Sequence, residues 1–191
     1  MTRSRRQRLR QLAAGAVALC VLAAPARLAA QTSPYTPYQH KALYLYNFAK
    51  FTEWPKEAFA DENAPFVLGI LGQDPFGKDI EIIKGKTVKN RRLEVKYYSS
   101  VQEIAGCHLL FISSSEAGRF PETLKALEKS SVLTIAETEG FLEQSGIIKL
   151  VAEQKTSGSQ TVAFEINLVA AGKANLKLDT QLLKLARQVR S

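Results

Sequence analysis

Two apolar runs in this chain, Phe66-Val67-Leu68 and Leu109-Leu110-Phe111-Ile112, have no polar residue at alternate positions. A strand with one wet face alternates apolar and polar side chains, so runs without alternation belong to strands covered on both faces. That constraint selects a largely parallel sheet flanked by helices and places the chain in the α/β class. Strands are expected at Phe66–Leu71, Leu93–Tyr98, Leu109–Ile112, Val132–Ala136, Ile147–Val151 and Val162–Ile166, giving a sheet of about five to six strands.

The segments between them carry helical punctuation. A first helix is expected from about Tyr38 to Thr52, stopped by Pro55, which also disfavours helix at Trp54. Tyr38, Ala42, Leu45 and Ala49 share one of its faces, while Leu43, Tyr44, Tyr46, Phe48 and Phe51 spread around the rest. Such a helix needs cover on more than one side. Eight of the sixteen aromatic residues fall between Tyr35 and Phe59, so this stretch is the richest source of aromatic contact surface. Asp74-Pro75 reads as a helix N-cap followed by proline at the first helical position, with Ile80 and Ile83 one turn apart and Gly85 at the stop. Pro121 opens a further helix with Leu124 and Leu127 turned inward. Leu178, Leu182, Leu185, Ala186 and Val189 follow the spacing of one helical face, which predicts a terminal helix with Arg187 and Arg190 near its negative end.

Charge is informative only once it is located. The chain has 26 basic and 18 acidic residues and a net charge of +8, but Arg3, Arg5, Arg6, Arg8, Arg10 and Arg27 lie in the first 30 residues, which hold no acid. The remainder, with 20 basic against 18 acidic residues, is near neutral at +2. An arginine-rich start, an apolar run from Leu12 to Ala24 and the small residues before Gln31 read as a cleavable export signal, with cleavage expected after Ala30. The run is too short for a spanning helix, which needs about 20 residues. The expected organisation is therefore a signal peptide over 1–30, a short tether over 31–37 and one domain over 38–191, located in the periplasm. Removing Cys20 leaves Cys107 as a lone free thiol, so the mature chain can form no internal disulfide.

The residues offer little chemistry. Two histidines, His40 and His108, and one mature cysteine do not make a zinc site. Cys107 and His108 are adjacent, and consecutive residues entering a strand point to opposite faces, which argues against a nucleophilic dyad. Ser113-Ser114-Ser115-Glu116 has the spacing of a capping box, and no nucleophile elbow accompanies it. No catalytic, metal or cofactor-binding residue is assigned, and the chain is expected not to be an enzyme. The basic cluster Lys84, Lys86, Lys89, Arg91 and Arg92 reads as a solvated helix end and edge strand rather than a nucleic-acid surface. Glu165 and Asn167 share a face in Val162–Asn167, where an unpaired carboxylate is costly, so Glu165 should have a partner, lie on an edge or face a pocket. Gly72 and Asp74, which follow the first strand at a common ligand position in α/β folds, join them as polar-pocket candidates.

Several stretches together resemble the YfiR family of periplasmic proteins. They are Lys41-Ala-Leu-Tyr-Leu-Tyr-Asn-Phe-Ala-Lys-Phe-Thr-Glu-Trp-Pro55, Leu68-Gly-Ile-Leu-Gly-Gln-Asp-Pro-Phe-Gly77, Gly85-Lys-Thr-Val88, Cys107-His-Leu-Leu-Phe-Ile-Ser-Ser-Ser-Glu116, Gly146-Ile-Ile-Lys-Leu150 and Phe164-Glu-Ile-Asn-Leu168. The resemblance implies a non-enzymatic regulator that restrains an inner-membrane diguanylate cyclase through the enzyme's periplasmic domain. It also implies release by an outer-membrane lipoprotein, with cyclic-di-GMP, biofilm and motility as the outputs. A homodimer is a further expectation. The family's type member is associated with cysteine pairs, and the lone Cys107 carries no such switch. Tyr44, Asn47, Phe48, Phe51 and Trp54 are then the candidates for the partner interface, because interface cores favour aromatic residues. The alternative reading is a periplasmic small-molecule binding module feeding a sensor kinase or transporter.

Overall fold

The computed structural model describes residues 34–154 and 160–191. The expected export signal, its cleavage after Ala30 and the first part of the tether lie outside the described residues.

Helix α1 (Pro37–Lys50) opens on a complete capping box: the Thr36 hydroxyl accepts from the Gln39 amide and the Gln39 side chain accepts from the Thr36 amide, both at 3.1 Å. It closes where the Phe51 amide donates to the Asn47 carbonyl, two residues before the expected end. Ala42, Leu45, Phe48 and Ala49 are buried against the sheet. Beyond it, β1 (Thr52–Glu53) pairs antiparallel with β9 (Lys177–Leu178).

The remaining strands form one sheet: β2 (Phe66–Leu71), β3 (Thr87–Val88), β4 (Arg91–Tyr98), β5 (Leu109–Ile112), β6 (Leu133–Ala136), β7 (Ile148–Gln154), β8 (Gln160–Asn167) and β10 (Gln188–Arg190), in the order β10-β8-β7-β6-β5-β2-β4-β3. The five central strands β4, β2, β5, β6 and β7 run parallel, while β3 and β8 turn antiparallel at the two sides. The sheet thus has eight strands rather than five or six. The extra ones, β3 and β10, are two and three residues long and too short to show a period of their own.

Alternate residues of the central strands enter two separate cores. Phe66, Leu68, Ile70, Leu109, Phe111, Leu133 and Ile135 face α1. Leu71, Leu110, Ile112, Val132 and Ala136 meet Tyr98, Cys107, Phe120, Phe141 and Leu142 on the other side, beneath α2 (Phe120–Ala126). Two-sided burial is the reason these strands lack alternation.

Two expected helices are replaced. After Asp74 the chain makes a 3-10 turn over Gly77–Ile82 instead of an α-helix. The Asp74 carboxylate accepts from the Phe76 amide at 2.8 Å and the Gly77 amide at 3.1 Å, a local turn that competes with helix propagation. Ile80 and Ile83 still reach the core. The terminal helix is broken into β9, α4 (Thr180–Leu185) and β10. Strand β10 lies parallel to β8, with Val189 opposite Ile166, and the Arg187 amide donates to the Phe164 carbonyl at 2.8 Å. Covering the backbone edge of β8 outweighs the helical period here, and it leaves Leu185 72% exposed. Between Ser113 and Glu116 half of the capping box forms: Ser113 accepts from the Ser115 amide, whereas Glu116 turns to Arg119 at 2.7 Å.

His108 joins the loop behind α1 to the heads of β2 and β5. Its Nδ1 accepts from the Val67 amide at 3.0 Å, and its Nε2 donates to the Ala58 carbonyl at 3.0 Å, so the ring is the neutral tautomer. It stacks on Phe59 and Phe66, with centroids 4.3 and 5.2 Å away. Burial, reinforced by the Arg91 and Lys96 charges, lowers its pKa from 6.5 to about 4, against the opposing pull of its two backbone hydrogen bonds.

Two predictions follow from this packing. Phe48→Ala lowers folding stability by about 3–5 kcal/mol, whereas Asn47→Ala on the exposed side of the same helix changes it by less than about 0.5 kcal/mol, as read by urea unfolding. For His108, the unfolded chain takes up a proton near pH 6.5 and the folded chain only near pH 4. Its contribution is therefore complete above pH 6.5 and declines as pH falls to about 4, by about 3 kcal/mol in all. Unfolding curves across that window should show a shallower pH slope for His108→Gln than for the parent chain.

Candidate functional site

Trp54 sits where the loop behind α1 crosses the amino-terminal ends of the parallel strands. Its indole Nε1 donates to the His108 carbonyl at 3.2 Å, and its ring meets Phe66 edge-on at 5.0 Å. The side chain stays half-buried because it forms a wall of two clefts. One, of about 260 Å³, is lined by Glu53, Trp54, Phe59, Phe66, Lys89 and Arg91. The other, of about 500 Å³, is lined by Glu53, Trp54, Pro55, Asn175, Leu176 and Lys177. Arg91 lies 3.9 Å over the Phe59 ring and donates to the Asp61 and Ala64 carbonyls at 2.9 and 2.7 Å. The result is a fixed aromatic edge on which Glu53 lines both clefts, with Lys89 and Arg91 at the smaller one and Lys177, the cross-strand neighbour of Glu53, at the larger.

The other interface candidates are spread along α1. Phe48 is fully buried, stacked edge-on with Phe164 at 5.0 Å, so it belongs to the core and is withdrawn from the contact surface. Tyr44 also packs on Phe164, at 5.9 Å, and its hydroxyl pKa is raised by burial and by the nearby Glu153. Asn47 is exposed and Phe51 half-buried.

The polar-pocket candidates have structural work. Gly72 adopts φ +86, and a Cβ there would stand 2.5 Å from the Ser115 Oγ and 2.8 Å from the Glu116 Cγ. The space after β2 that would cradle a ligand is filled by the turn after β5. Asp74 holds its own turn. Glu165 lies opposite Lys149 in the β7–β8 register, and Lys149 Nζ is 3.2 Å from Glu165 and 2.8 Å from Glu139. The Glu165 carboxylate thus has a partner, one of the outcomes the sequence allowed. The Asn167 carbonyl oxygen accepts from the Ala170 amide as N-cap of α3 (Leu168–Lys173), and its Nδ2 donates to the Leu142 carbonyl. None of the four lines either Trp54 cleft.

Cys107 is buried, with Sγ 3.2 Å from the Leu109 carbonyl, and burial pushes its pKa up to about 12. A thiol in that state is a poor nucleophile. His108 faces the other core and spends both nitrogens on backbone groups, so the two adjacent residues form no dyad. Among the described residues, no group of three His, Cys, Asp or Glu side chains is placed to hold a metal ion, and no helix is long and apolar enough to cross a membrane. The sequence reading took Arg91 for a solvated residue, whereas it packs over Phe59, and it did not assign Lys149 or the junction role of His108, because each is defined by partners far away in the chain.

No curated protein sequence matches the chain. Among solved structures, it is similar to a conserved domain protein from Vibrio cholerae, with a TM-score of 0.57 at 12% identity, over 81% of this chain and 60% of that one. It is also similar to an ABC domain in complex with L-Trp from Streptococcus pneumonia, with a TM-score of 0.45 at 16% identity, over 65% of this chain and 55% of that one. The chain spans 60% of the length of the Vibrio structure, and at 12% identity that likeness shows the fold alone. The YfiR/HmsC-like family model matches residues 38–187, which cover the described sheet almost to its last strand. The chain therefore belongs to the YfiR/HmsC-like family.

Proposed function

We propose that this protein is an exported, non-enzymatic regulator that acts in the periplasm, restraining an inner-membrane diguanylate cyclase by contact with the cyclase's periplasmic domain. The YfiR/HmsC-like family is known for periplasmic regulators of diguanylate cyclases. The observation that carries the reading in this chain is the half-buried Trp54, pinned by the His108 carbonyl between two clefts with acidic and basic rims. A rigid, partly desolvated aromatic flanked by charge is the usual anchor of a protein contact. An outer-membrane lipoprotein that sequesters the regulator completes the proposed circuit, and a lower or higher cyclic-di-GMP level is its output. The inert state of Cys107 and the committed nitrogens of His108 support a role without bond-breaking chemistry. The alternative of a ligand module built on the turn after β2 loses its ground, since Ser115 and Glu116 occupy that position.

Deleting the gene should raise cellular cyclic-di-GMP, and restoring the parent chain should return it to baseline. Trp54→Ala should weaken cyclase binding by about 2 kcal/mol or more, roughly 30-fold, and fail to restore the baseline. Lys177→Glu, on the exposed rim of the larger cleft, tests the same edge without disturbing the core. Cyclic-di-GMP levels indifferent to deletion would remove cyclase control, and full restoration by both variants would move the contact away from Trp54.

A further inference from the structure

A separate cavity of about 330 Å³ opens between α2, the heads of β6 and β7, and α3. Its apolar wall comes from Leu124 and Leu127, from Val132 and Ile147, and from Ala170 and Ala174. The two alanines, one turn apart, leave the space that larger side chains would fill. Leu124 and Leu127 are consequently only half-buried, although the sequence marks them as inward positions.

The polar lining, Lys125, Glu128, Thr134, Gln144, Ser145 and Lys173, is unevenly used. Thr134 is 4% exposed, and its hydroxyl oxygen accepts from the Ile147 amide at 3.2 Å. No acceptor among the described residues takes the hydroxyl hydrogen, which leaves one buried donor on the cavity wall unspent. Lys125 and Lys173 stand on the rim from opposite helices, and neither forms an ion pair among the described residues. Glu128 shares the rim, so its net charge is positive by one. The wall asks for an apolar body and the two ammonium groups for a negative charge.

We infer that this cavity binds a medium-chain fatty carboxylate, with the acyl chain against the leucine and alanine wall and the carboxylate at the lysine rim. Its volume lies in the range of small-ligand pockets, about 300–1,000 Å³. At about 30 Å³ per water-sized unit it admits about eleven heavy atoms, the size of octanoate or nonanoate. The cavity shares no residue with the Trp54 clefts, so the inference stands independently of cyclase control.

Titration calorimetry of the purified mature chain with octanoate tests it, using octylammonium and inorganic phosphate as comparisons. Octanoate should bind with a submillimolar Kd, and octylammonium and phosphate at least about tenfold more weakly. The double variant Lys125→Ala and Lys173→Ala should weaken octanoate about tenfold. Ala174→Phe should abolish binding by filling the cavity, while its unfolding midpoint without ligand stays near the parent value. If Ala174→Phe does not fold, the lysine pair decides alone. Absence of octanoate binding, equal binding of the amine or of phosphate, or indifference to loss of both lysines overturns the assignment.

Discussion

A neutral imidazole clamped between two phenyl rings is the junction on which the arrangement of this domain depends. His108 takes the Val67 amide at the head of β2 and gives its own proton to the Ala58 carbonyl in the loop behind α1. The Val67 amide would otherwise be a buried polar group in need of a partner. The His108 carbonyl then receives the Trp54 indole, and its amide donates to the Val67 carbonyl. One residue thus fixes the path of the chain from α1 into the sheet and the pose of the most prominent aromatic on its edge. The stacking on Phe59 and Phe66 and the Arg91 guanidinium over Phe59 exclude water from this junction, which is why the ring remains neutral.

The central strands were legible because two-sided burial leaves a signature in every residue. Leu109–Ile112 matches its expected bounds, and Phe66–Leu71 does as well. Legibility failed where a short local pattern fits two structures. Leu178, Leu182, Leu185 and Val189 have helical spacing, yet the hydrogen-bonding edge of β8 recruits Gln188–Arg190 as a strand. That edge arises from tertiary placement and no window of the terminal sequence contains it. Asp74 illustrates the opposite case, in which a local side-chain turn defeats a well-punctuated helix.

The candidate site shows the same division. Trp54 could be singled out from composition alone, but Phe48 could not be separated from it, because burial of a helix apolar on several sides depends on which strands lie beneath. The usual ligand position of α/β folds, outside the carboxyl ends of the strands, is occupied here by protein. The Ser113–Glu116 turn packs onto Gly72 so closely that only glycine fits. The Trp54 clefts and the α2–α3 cavity lie toward the opposite, amino-terminal edge.

Charge partition is what would make the proposed Trp54 contact selective. Of the buried carboxylates, Glu165 is matched across β7–β8 by Lys149, which also holds Glu139, and Glu116 is matched by Arg119. With interior charges neutralised locally, the residues left to shape an encounter are those on the rims: Glu53 and Lys177 at the larger Trp54 cleft, Lys89 and Arg91 at the smaller one. Rim charges govern the rate and orientation of association more than its final strength, which comes from the desolvated centre. For the regulator proposed above, that separation would let a competitor take over the aromatic centre while the rims keep approach to the partner fast. In the proposed contact, recognition rests on the arrangement of charge around Trp54 and not on total charge, since residues 31–191 carry a net charge of only +2.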